Sequence, residues 1–169
     1  MNAHVSPSDA PAGLYTPEER LRRDNSVWTL VQGILAPIQF LVFAISVGLI
    51  IHWWMTGSWL MATHVSVVVK TMTLYAIMIT GAIWEKDVFG AYLFAPQFFW
   101  EDVVSMLVLT LHTAYLVALW GGLLSDAQLL ALATAAYVSY VINAGQFLYK
   151  FRQARIGAAS GQSSREVAA

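Results

Sequence analysis

Cysteine is absent from the sequence, which excludes disulfides, thiolate nucleophiles and cysteine-ligated metals. Charge is nearly as scarce. Asp, Glu, Lys and Arg make up 11% of the residues, where soluble domains average about 25%. None occurs between Asp24 and Lys70, and none between Asp126 and Lys150. The formal net charge is -1, so charge balance gives no argument for nucleic acid, and no nucleic-acid partner is expected. Internal repeats are also missing. Met1 to Gly13 is rich in Pro, Ser and Ala and has no apolar core, so it reads as a disordered tail rather than a cleaved signal.

What is there is apolar surface: 58% of residues are hydrophobic. A helical crossing takes about 20 apolar residues, so the uncharged stretch from Asn25 to Val69 must contain a turn, and Thr56-Gly57-Ser58 supplies it. Gly121-Gly122 and Ser125-Asp126 mark another. The expected fold is an all-α integral membrane protein, a four-transmembrane-helix bundle with spans about 27–54, 62–84, 103–120 and 127–149. They form one domain over residues 15–156, with disordered tails at 1–14 and 157–169. Ahead of the first span, Thr16, Pro17 and Glu19 form a helix-start signature, predicting a short interfacial helix. Trp28 and Trp53-Trp54 fit interfacial belts, and Pro37 should kink the first span. Basic residues flank the outer ends of spans one and four, while the turns 56–61 and 121–126 carry none. The positive-inside rule then predicts both termini in the cytoplasm, with the lipid bilayer as the principal partner.

The stretch from Trp84 to His112 departs from this pattern. Apart from Lys70 and Asp126, the charged residues between Asn25 and Tyr149 are Glu85, Lys86, Asp87, Glu101 and Asp102. The connection between the second and third spans is apolar and aromatic (Phe89, Tyr92, Phe94, Phe98, Phe99, Trp100) and is broken by Gly90 and Pro96. A solvated loop is not built this way. It should lie along the interface or fold back over the bundle mouth as a lid.

The strings LYTPEER, WTLVQGILAPIQFLVF, LYAIMITGAIWEK, LFAPQFFWEDVVSMLVLTLHTAYL and YVINAGQFLYK, in that order, resemble the 3-vinyl bacteriochlorophyllide hydratase family of phototrophic bacteria. The resemblance covers Leu14 to Phe151. It implies a hydro-lyase adding water to the 3-vinyl group of a chlorophyllide or bacteriochlorophyllide, giving the 3-(1-hydroxyethyl) pigment in bacteriochlorophyll biosynthesis. It implies no cofactor, a pigment substrate, and other pigment-biosynthesis enzymes as partners.

Hydration of a conjugated vinyl group needs an acid to protonate the terminal carbon, a base to orient water, and a flat apolar slot. Glu85, Glu101 and Asp102 are the candidate acid and base, since neighbouring buried carboxyls divide into those two roles. The competing reading is that Glu101 and Asp102 only favour the helix dipole. His112 shares a helical face with Glu101, Ser105, Val108 and Tyr115. It is a candidate proton relay or ligand to the substrate magnesium, against a plain interhelical histidine. Gln39, Asn143 and Gln146 are candidate substrate contacts, and Trp84 and Trp100 candidate stacking platforms, against amide glue and belt residues. No resident metal site is expected. Lys70 should snorkel outward or pair within the bundle, and His52 and His64 read as interfacial. The alternatives are a haem- or quinone-binding protein, disfavoured by the lack of a second deep histidine, and a pigment-complex assembly factor.

Overall fold

A computed structural model describes residues 14–167, with side chains described to Ile156. Its helices are α1 (Pro17–Asn25), α2 (Val27–Thr56), α3 (Leu60–Phe89), α4 (Phe99–Trp120) and α5 (Asp126–Val167). Four of them are long and apolar enough to cross a membrane: Val27–Thr56, Leu60–Phe89, Phe99–Trp120 and Asp126–Ile156. The expected tail 1–14 lies outside the described residues except for Leu14. The backbone of α5 runs on to Val167, past the point where composition predicts the ordered domain to end, because extending a formed helix carries no nucleation cost.

Local chemistry sets the helix ends. At α1 the Thr16 hydroxyl accepts from the Glu19 N–H, and the Glu19 carboxylate accepts from the Thr16 N–H at 2.7 Å, the reciprocal cap the sequence predicts. α2 begins on Ser26, whose hydroxyl accepts from the Trp28 N–H, and stops at Gly57 in the left-handed region (φ 67°). α3 stops the same way at Gly90 (φ 87°). The helices extend beyond the expected spans: α3 continues to Phe89 and α4 starts at Phe99. The charged triplet Glu85-Lys86-Asp87 is not where the chain leaves the helix; the glycine five residues beyond Glu85 is. Glu101 and Asp102 fall in the first turn of α4, where the helix dipole favours acids. The connection shrinks to residues 90–98.

α2 packs mainly on α3, and α4 on α5, giving two antiparallel hairpins placed side by side. Toward the 57–59 and 121–125 turns the interior is apolar, built on Ile50, Val67, Tyr115, Leu116, Leu130, Ala133 and Tyr137. Toward the other end, here called the mouth, it is polar. The outward faces carry Leu30, Ile34, Phe40, Leu41, Ile45 and Val141, the surface a bilayer solvates. Between helices, Ser46 bonds Ser66 at 2.7 Å and Tyr137 at 2.6 Å, and Tyr75 bonds Thr113 at 2.8 Å. Such bonds contribute about 0.6 kcal/mol each in a membrane. The even number of spans puts α1 and the end of α5 on the mouth side. In this cysteine-free chain, Ser58→Cys and Ser125→Cys should react with an impermeant maleimide from one membrane face and Gln153→Cys from the other. Labelling of Ser58→Cys and Ser125→Cys from opposite faces contradicts the four-span topology.

Candidate active site

The mouth is built where the last turns of α3 meet the first turn of α4. Glu85 is buried on α3 and Asp102 on α4, and their carboxyls lie within hydrogen-bonding reach of each other. The 90–98 connection pins both. The Phe94 N–H donates to Asp102 Oδ2 at 2.7 Å, and the Ala95 N–H donates to Glu85 Oε2 at 3.3 Å. Phe94 achieves this with φ 60°, a left-handed conformation that costs a bulky side chain about 1–3 kcal/mol. Consecutive N–H groups from one strained segment thus fix two facing carboxyls. Two carboxyls this close and this buried resist being ionised together.

Glu101 faces a different partner. Its carboxylate forms an ion pair with Lys150 Nζ at 2.5 Å, and Lys150 also donates to the Gln97 carbonyl. The Glu101 backbone carbonyl accepts from Asn143 Nδ2 at 2.9 Å, while Ser105 Oγ donates to Asn143 Oδ1 at 3.2 Å. Lys150 and Gln97 were not singled out from the sequence. Lys150 looked like a basic flank, yet it falls two turns beyond Asn143 on the same face of α5, and that phase was the available signal.

The connection closes over the mouth as a plug. Ala95 and Phe98 are fully buried. The Phe98 ring sits 5.7 Å from Trp84, 5.7 Å from Phe89 and 5.8 Å from Phe147, with Lys150 Nζ 5.0 Å from its centroid. Trp84 donates its Nε1–H to Thr29 Oγ1 at 2.9 Å, so it braces α3 against α2 within this aromatic box. Trp100 lies outside it: 69% exposed, it packs edge-on against Phe99 and faces outward, as a belt residue does.

Deeper in the bundle, the predicted face of α4 is buried throughout: Glu101, Ser105, Val108, His112 and Tyr115. His112 is fully enclosed and stacks on Tyr137 at 5.7 Å. Its Nδ1–H donates to the Val108 carbonyl at 2.8 Å, since a carbonyl can only accept. That leaves the lone pair on Nε2, which has no partner. Gln39 is buried, and its Oε1 and that of Gln146 are also unpartnered. The structure therefore brings Glu85, Asp102, Glu101, Asn143 and Trp84 together at the mouth and sets His112 below them. His64, near the 57–59 turn, is buried against its neighbours, with Nδ1 2.7 Å from Tyr115 OH and Nε2 3.6 Å from Asp126. Among the described residues no three His, Asp or Glu side chains converge as metal ligands.

Fold and site together define a class: a small polytopic membrane protein with buried carboxyls at one end of its bundle, closed by an aromatic plug. Residues 15–153 match the 2-vinyl bacteriochlorophyllide hydratase family. The vinyl group counted there at position 2 is the one counted above at position 3. A protein of that name from Cereibacter sphaeroides is 58% identical over 158 residues, covering 94% of this chain and 98% of its own. One of the same name from Rhodobacter capsulatus is 60% identical over 147 residues, covering 87% and 85%. This chain belongs to the 2-vinyl bacteriochlorophyllide hydratase family. No solved structure matches it.

Breaking a fully buried ion pair from one side costs about 3–5 kcal/mol, whereas removing both charges costs much less. The Lys150 side chain is 26% exposed, so Lys150→Met should lower thermal stability in detergent by less than that. Adding Glu101→Gln should recover part of the loss. A double variant less stable than Lys150→Met contradicts the pairing.

Proposed function

We propose that this chain adds water to the vinyl group of a chlorophyllide or bacteriochlorophyllide, with Glu85 and Asp102 as its acid–base pair. Family membership across residues 15–153 supports the activity, and the facing carboxyls at the mouth are the observation that carries the site. The protonated carboxyl gives its proton to the terminal vinyl carbon, forming a C–H bond and leaving a cation at the inner carbon that the macrocycle delocalises. The pair, now fully ionised, stabilises that cation. One carboxylate takes a proton from water as the oxygen bonds to the inner carbon. The pair regains the proton it lost, and the net change is one added water. In the reverse direction this is a carbon–oxygen lyase step.

The neighbouring groups serve that chemistry. Glu101, held by Lys150 and Asn143, positions the first turn of α4 and therefore Asp102. The aromatic plug of Trp84, Phe89 and Phe98 keeps bulk water from the cation. His112 Nε2, a buried lone pair without a donor, suits the substrate magnesium. Gln39 and Gln146 turn unpartnered carbonyl oxygens toward the same interior. Arg20, Arg22, Arg23, Lys150, Arg152 and Arg155 all lie at the mouth end. The positive-inside rule orients the mouth and both termini toward the cytoplasm of the bacterial inner membrane.

Membranes of a heterologous host expressing the chain should convert the vinyl pigment to a product one water heavier. Absence of product from folded protein contradicts the activity. Glu85→Gln and Asp102→Asn should each lower turnover by about a hundredfold or more while membrane accumulation stays normal; near-normal turnover in both contradicts the carboxyl mechanism. His112→Ala should weaken binding of the magnesium pigment but leave its metal-free counterpart unaffected. Equal loss for both removes the magnesium contact.

A further inference from the structure

The interior holds a second polar site that the chemistry at the mouth does not use. Lys70 on α3 is fully enclosed. Its ammonium stands 3.7 Å above the Tyr140 ring centroid and has no hydrogen-bond partner. Ammonium groups within a membrane normally pair with a counter-charge, backbone carbonyls or water; this one has a ring face alone. His112, another buried group with an open polar atom, stacks on Tyr137, one turn from Tyr140 on α5. Lys70 belongs to the α2–α3 hairpin, whereas His112, Tyr137 and Tyr140 belong to α4–α5, so the site straddles the seam between the hairpins.

That seam opens toward lipid. An apolar cavity of about 390 Å³ lies between α2 and α5, lined by Phe43, Val47, Ile50, Tyr137 and Val141 among others. Phe43 bridges it to the polar site, packing on Tyr137 at 5.2 Å and Tyr140 at 4.9 Å. Lys70 and Glu85 are about 22 Å apart along α3 at 1.5 Å per residue.

We propose that Lys70 is a specificity-determining contact for the pigment. Its ammonium donates to an oxygen acceptor, a carboxylate or a ring carbonyl, on the macrocycle edge remote from the vinyl group. The pigment enters edge-on through the seam beside Phe43 and Tyr137. This rests on the hydratase reading: a planar substrate whose vinyl edge reaches Glu85 and Asp102 presents its far edge to Lys70.

The test is an absorbance titration of purified protein in detergent with three probes: the magnesium vinyl pigment with free carboxylate and ring ketone, its methyl ester, and an analogue lacking the ketone. Lys70→Met, which removes a buried unpaired charge without changing shape much, should bind the parent pigment about tenfold more weakly, and Lys70→Arg should retain affinity. The penalty of Lys70→Met should vanish for one modified probe, the ester if the carboxylate is the acceptor or the ketone-free analogue if the carbonyl is. Unchanged affinity for the parent, or the same loss for all three probes, overturns the proposal. Wild-type turnover is measured alongside. Absent product from wild type counts against the hydratase reading, whereas normal turnover with unaltered Lys70→Met binding counts against Lys70 alone.

Discussion

Two carboxyls that face each other away from bulk water cannot both be ionised cheaply, and the mouth of this bundle is arranged around that constraint. Glu85 and Asp102 come from different hairpins, so their contact joins the two halves of the molecule. Backbone N–H groups of Phe94 and Ala95 hold both side chains, at the expense of a left-handed Phe94. The same short connection sends Phe98 into the aromatic box. One segment therefore holds both carboxyls and closes the mouth with an aromatic ring. Strain of this kind persists only where surrounding contacts outweigh it.

The remaining polar interior follows from the solvent. In hydrocarbon, an interior polar group must find a partner within the protein, and most here do: Ser46 with Tyr137, His64 with Tyr115, Asn143 with Glu101. The exceptions are informative against that background. Lys70 Nζ, His112 Nε2 and the Gln39 and Gln146 oxygens are among the buried polar atoms that lack partners, and Lys70 and His112 belong to different hairpins.

Much of this was legible in the sequence because helical phase is a local property. The buried face Glu101, Ser105, Val108, His112, Tyr115 follows from a 3.6-residue period, and the α1 cap from Thr16, Pro17 and Glu19. The same phase turns Trp100, one residue from Glu101, to a different side of α4, so its outward position was available too. The helix ends were read less well. Glu85-Lys86-Asp87 looked like an exit from the membrane, but charge does not terminate a helix, and Gly90 does. Pairings across elements were not legible. That Asp102 meets Glu85 while Glu101 meets Lys150 depends on how α3, α4 and α5 are staggered and on Phe94 adopting a positive φ, which no local pattern in an aromatic stretch announces.

The central claim is that Glu85 and Asp102 share one proton that the vinyl group receives. Infrared difference spectroscopy of the protein in membranes, at the pH of turnover, tests it most directly. A shared proton gives a protonated-carboxyl stretch that shifts in heavy water and is missing from the Glu85→Gln, Asp102→Asn double variant. A wild-type spectrum without that band, or one whose band survives in the double variant, would contradict it.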